Sequence, residues 1–121
     1  MAVATAERTR PRAGKRDPVF VDLLAKFYRG LGDPTRLRIL EYLLEGEKSV
    51  SELVDLIGSA QGRISSHLAC LRQCGYAVER AEGRHAYNRN ADPRVMKILS
   101  LGQAMVQENA RRIFACTRIS S

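Results

Sequence analysis

The stretch SVSELVDLIGSAQGRISSHLACLRQCG, residues 49–75, predicts two short helices joined by a tight turn. Ser49 with Glu52 three residues on has the form of a capping box, and Gly58 is placed to end the first helix. Ser59 and Ala60 make the turn. The second helix then runs from about residue 61 to 74 and turns Ile64, Leu68 and Leu71 inward before Gly75 stops it. On its other face lie Gln61, Arg63, Ser65, Ser66 and His67, an amide, a guanidinium, hydroxyls and an imidazole, the groups that base edges and phosphates accept.

Upstream, Phe20, Leu23, Leu24, Phe27 and Leu31 recur at spacings of three and four, a helical stripe closed by Gly30 and Gly32. DPTRLRIL then opens another helix, with Asp33 as N-cap, Pro34 in the first turn, and Leu37, Leu40, Leu43 and Leu44 facing inward. Downstream, Tyr76 and Val78, the charged tip AEGR, and Ala86 and Tyr87 predict a two-stranded hairpin. A long terminal helix follows, opened by Asp92 and Pro93. Its stripe runs through Val95, Ile98, Leu99, Gly102, Met105, Val106, Asn109 and Ile113. The expected fold is mainly α with a small β-hairpin wing, a winged helix-turn-helix whose second short helix reads DNA. The balance of 20 Lys+Arg against 13 Asp+Glu, +7 in all, favours a polyanionic partner.

With 121 residues the chain makes one domain. Residues 1–16, carrying Arg8, Arg10, Arg12, Lys15 and Arg16, are expected to be a disordered basic arm, 17–115 the folded domain, and 116–121 a C-terminal tail. No apolar run is long enough to span a membrane, and the N-terminus turns polar by Glu7, unlike a secretory signal. Three cysteines are a poor disulfide framework, which points to a reducing cytoplasm and to thiols serving as metal ligands or redox sites. Nothing in the pattern suggests an enzyme or a small-molecule substrate: the glycines punctuate helix ends instead of cradling phosphates, and no nucleophile–base set stands out.

LGDPTRLRILEYL, SELVDLIG, ISSHLACLRQCGY and EGRHAYN, in this order and spacing, resemble the ArsR/SmtB family of metal-responsive bacterial repressors. The resemblance covers roughly residues 20–115. It implies a homodimer that joins through its first and last helices and holds a palindromic double-stranded operator until an inducer binds. It maps Gln61, Arg63, Ser65, Ser66 and His67 onto the operator-contacting helix and Arg84 onto the wing tip. Two of the family's metal sites are missing here. Ser49-Val50-Ser51 stands where one needs Cys-Val-Cys, and Arg94 stands where another needs His beside Asp92. The third arrangement, two thiols four residues apart at the end of the reading helix plus a cysteine near the C-terminus, fits Cys70, Cys74 and Cys116. It is the pattern of cadmium/lead sensors of the CmtR type and of mercury repressors.

On a helix, side chains at i and i+4 have Cβ atoms about 5–6 Å apart, a gap that two thiolates on one metal can close. Thiolates select soft ions, so mercury, cadmium or lead is the expected inducer, with zinc also able to bind. Arg72 and the general positive charge are expected to favour the thiolates. His67, on nearly the same face, is read as facing DNA or positioning the helix, and His85 as a surface residue. Two other readings stay open: a repressor that switches by cysteine oxidation, and a metal-independent DNA-binding regulator whose cysteines are structural.

Overall fold

The computed structural model describes residues 16–119. Five helices and three short strands follow in the order α1 (Pro18–Leu31), α2 (Pro34–Glu45), β1 (Lys48–Ser49), α3 (Val50–Ile57), α4 (Gln61–Gln73), β2 (Ala77–Glu82), β3 (His85–Asn90) and α5 (Arg94–Ala115). The arm expected over residues 1–16 lies outside the described residues apart from Arg16. Among the described residues no helix is long and apolar enough to cross a membrane.

The helix ends form where polar side chains replace missing backbone partners. Asp17 Oδ1 accepts from the Val19 N–H at the start of α1. Ser49 and Glu52 close the full capping box of α3, and Gly58, at φ 82°, takes the left-handed cap that ends it. Asp33 Oδ1 caps α2 by accepting from the N–H groups of Thr35 (2.8 Å) and Arg36 (3.1 Å). Burial opposes ionisation of Asp33, but these bonds and the nearby His67 and Arg36 outweigh it and hold its carboxyl below the ordinary value of 3.8. Asp33→Ala is therefore expected to lower stability by about 1 kcal/mol at neutral pH, the usual cost of losing an N-cap. A folded pKa below the unfolded one stabilises above pH 3.8 and is lost as pH falls through the folded value. Urea melts of wild type and variant should thus converge at the acid end.

The core is one cluster in which Ile39, Leu40 and Leu43 of α2, Leu53 of α3 and Ile64, Leu68 and Leu71 of α4 meet Tyr76, Ala77, Val95 and Leu99. Ile39 is fully buried although the leucine stripe alone did not include it, while Leu37 and Leu44 are only half-buried. The wing is a three-stranded antiparallel sheet in the order β1-β3-β2, not a two-stranded hairpin: Lys48 and Ser49 pair with Asn88 and Tyr87. Cys74 caps α4 from just outside it. Pro93 holds the N-cap position of α5, yet Asp92 Oδ1 still accepts from the Arg94 N–H. Of the stripe on α5, Val95 and Leu99 are buried and Ile98 is half-buried. Beyond them the apolar face stands open, with Leu101, Met105, Val106 and Ile113 exposed. Asn109 breaks the helical dihedrals (φ −121°, ψ 19°) as its side-chain amide donates to the Met105 carbonyl.

Candidate nucleic-acid interface and thiol site

Helix α4 has two unlike faces. Ile64, Leu68 and Leu71 anchor it in the core, which leaves Gln61, Arg63, Ser65 and Ser66 exposed on the opposite side. Its N-cap, Ala60, offers no side-chain acceptor, so the leading N–H groups of this exposed end have no side-chain partner. His67 departs from that face. It is half-buried and turned toward the start of α2, with Nδ1 3.3 Å from Arg36 Nη1 and Nε2 3.8 Å from Asp33 Oδ1.

The wing tip is the two-residue loop Gly83–Arg84 between β2 and β3, and Arg84 is exposed there. The basic residues of the wing are not equivalent. Arg80 is engaged by Glu47, with bonds of 3.0 and 2.9 Å, and by Glu82 at 3.3 Å, and it lies 5.1 Å from the centre of the Tyr87 ring. Its bond with Arg80 keeps the Glu47 carboxyl below its usual range. Arg80, Arg84 and Arg89 are all exposed, but among the described residues only Arg80 of the three is held in ion pairs.

At the other end of α4, Cys70 and Cys74 are both half-buried free thiols one helical turn apart, close enough to influence each other's ionisation. Burial raises the Cys74 thiol above its ordinary 9.0, and the neighbouring Cys70 raises it further, against a smaller opposite pull from Lys26 and Arg36. Arg72, expected to favour the thiolates, is occupied elsewhere. Its Nη1 donates to the buried Asn88 Oδ1 at 3.0 Å and lies 3.7 Å from Glu79, tying α4 to the wing. The wall facing Cys74 is the last turn of α1. A Cβ at Gly30 would stand 3.9 Å from Cys74 Sγ and 3.0 Å from the Tyr76 ring, so only glycine lets α1 approach this closely. Tyr76 fixes the approach by donating its hydroxyl to the Phe27 carbonyl.

Cys116 is exposed just past the end of α5. Among the described residues no three His, Cys, Asp or Glu side chains of one chain come together as a metal cluster, so the chain joins Cys70 to Cys74 and leaves Cys116 apart. The donor set fits a soft ion at the helical pair, two thiols able to converge on one centre. Sequence patterns did not single out Gly30 or Arg36 at this site. Their signal was limited to helix punctuation and to the Arg of DPTR.

A helix pair inside an α-helical core, a polar-faced second helix and a basic three-stranded wing define a winged helix-turn-helix DNA-binding regulator. The chain belongs to the arsR family of bacterial regulatory proteins, whose family model matches residues 33–78. It is 41% identical over 98 residues to a probable mercury resistance operon repressor of Streptomyces lividans, covering 81% of this chain and 78% of the relative. Among solved structures, a homodimeric winged helix-turn-helix DNA-binding domain from Mycobacterium bovis superposes with a TM-score of 0.70 at 27% identity, covering 82% of this chain and 92% of that one. The cadmium metal-sensor CmtR of Mycobacterium tuberculosis gives 0.55 at 39% identity, over 63% and 79% of the two chains.

Proposed function

We propose that this chain is a homodimeric transcriptional repressor of the cytoplasm that leaves a palindromic operator when a soft heavy metal binds its cysteine thiolates. The observation that carries this reading is the half-buried, neighbouring thiol pair Cys70 and Cys74 at the end of the helix whose other end presents Gln61, Arg63, Ser65 and Ser66. The mercury-resistance and cadmium-sensing relatives support it. So does the homodimeric relative, since Val19, Val21, Leu23, Leu24 and Tyr28 on α1 and the outer stripe of α5 are apolar and exposed.

In this reading Gln61, Arg63, Ser65 and Ser66 face a major groove, Arg84 reaches the adjoining groove, and His67 sets the angle of α4 from behind. Two-fold symmetry of the dimer calls for a palindromic site. Mercury, cadmium and lead suit an all-sulfur ligand set better than zinc does. Cys70 and Cys74 supply two ligands and Cys116 of the partner subunit the third, because one chain keeps Cys116 apart from the pair. Ligands on the reading helix give the metal direct leverage on DNA affinity. Moving the operator from about 99% occupied to about 1% requires the DNA-incompetent state to bind metal roughly 10⁴-fold better.

Operator binding followed by fluorescence anisotropy tests this, with Hg(II), Cd(II), Pb(II), Zn(II) and hydrogen peroxide added separately. Release by a soft metal under reducing conditions is expected, and Cys116→Ser should weaken the response without removing it. Release by peroxide alone would assign the pair to redox sensing. An operator affinity that no addition changes would make the cysteines structural.

A further inference from the structure

Arg36, near the start of α2, reaches three acceptors on two other helices. Its Nε donates to the Gly30 carbonyl at 2.7 Å and Nη2 to the Arg29 carbonyl at 3.0 Å, both in the last turn of α1. Its Nη1 meets His67 Nδ1 on α4 at 3.3 Å. A guanidinium only donates, so Nδ1 is the acceptor in this pair, and the imidazole proton sits on Nε2, toward Asp33. The turn of α1 that Arg36 grips is the same turn that walls the thiol pair, with Gly30 against Cys74 and Tyr76. His67 lies one helical turn before Cys70 and two before Cys74.

We propose that Arg36 is the positioning residue that couples the thiol pair to the DNA-reading face, because its fork joins the wall of the thiol site to His67 on α4. This rests on the metal-release reading above. A group bound between the thiols crowds the Gly30 wall, where even an added Cβ would stand 3.0 Å from the Tyr76 ring and 3.9 Å from Cys74 Sγ. The two carbonyls move with that wall, Arg36 follows them, and His67 loses or shifts its partner. Helix α4 is thereby re-aimed at the end that carries Gln61, Arg63, Ser65 and Ser66. A lysine would keep the positive charge, but its single ammonium cannot hold three acceptors in one plane.

Arg36→Lys separates the roles. Metal-free operator affinity is expected to fall below wild type, because His67 loses the partner that sets the angle of α4, while the thiolate-to-metal absorption on adding Hg(II) or Cd(II) should be retained. The metal-driven loss of operator affinity should shrink by about tenfold or more, within the usual span of allosteric couplings. An Arg36→Lys protein that is released as strongly as wild type overturns the inference while leaving the metal-release reading intact. A wild type that no metal releases overturns both. A second measurement needs no change at Arg36: the His67 ring nitrogen resonances of the wild-type protein should shift on adding Hg(II) and stay fixed in Cys70→Ser. Ring resonances that do not respond to Hg(II) in wild type also overturn it.

Discussion

Met105→Glu is expected to leave the chain folded and monomeric, with operator affinity reduced by about 10²–10⁴-fold, the advantage that two linked half-site contacts confer. Met105 is 64% exposed, and Leu101, one helical turn before it, is 67% exposed. Helix α5 has 22 residues, about 33 Å of rod, yet its last buried side chain is Leu99. Everything beyond Leu99 contributes little to the core of its own subunit. An apolar groove of about 760 Å³ runs along the same side, lined by Tyr28, Leu31, Leu37, Ile98 and Val106. A second copy laid against α1 and α5 would cover this surface by a two-fold axis, so one substitution places a carboxylate in the interface twice. An unpaired ionised group buried there costs several kcal/mol per copy. Sedimentation velocity reads the mass, and far-UV circular dichroism should keep its helical signal because the cluster around Ile39, Leu53, Ile64 and Leu68 is untouched. A variant that stays dimeric would move the interface away from α5.

What the sequence made legible is what local chemistry decides. Asp33 before Pro34, the Ser49–Glu52 box and Gly58 each satisfy or end a helix within a few residues, and each stands where the pattern put it. The reading helix was legible for the same reason, since Ile64, Leu68 and Leu71 fix which way Gln61 and Arg63 point. Non-local pairing was not legible. Lys48 and Ser49 become a strand only because Asn88 and Tyr87, forty residues on, come alongside them. Arg72 sits close in sequence to both thiols, but its bonds go to Asn88 and Glu79 across the wing. His67 carries a polar side chain on the helix expected to face DNA, and its periodicity could not tell a groove contact from a partner of Arg36. The stripe on α5 announced an apolar face without saying what covers it. Cys116, exposed just past the end of α5, shares that ambiguity.

Cys74→Ser is expected to keep its operator at soft-metal concentrations that release wild type, narrowing a response of a hundredfold or more to within about twofold. Serine nearly preserves the size of the side chain, but its hydroxyl is a poor ligand for soft ions. Metal-free operator affinity should barely change, because Cys74 faces the last turn of α1, away from the exposed side chains of Gln61, Arg63, Ser65 and Ser66. Cys70→Ser should behave alike, since each removes half of the pair. Anisotropy of labelled operator reads the release, and the ultraviolet absorption of the metal–thiolate bonds reads the ligand count in the same sample. Protons give an independent check. Burial and the neighbouring Cys70 raise the Cys74 thiol above 9.0, so it is protonated at neutral pH and must lose that proton to a bound metal. Apparent metal affinity should therefore rise with pH between about 6 and 9, by up to tenfold per pH unit for each proton released, and the slope should fall by one proton in Cys74→Ser. Release that survives both serine substitutions, or a metal affinity indifferent to pH, would remove the helical thiol pair from the sensing site and leave α4 answering to some other signal.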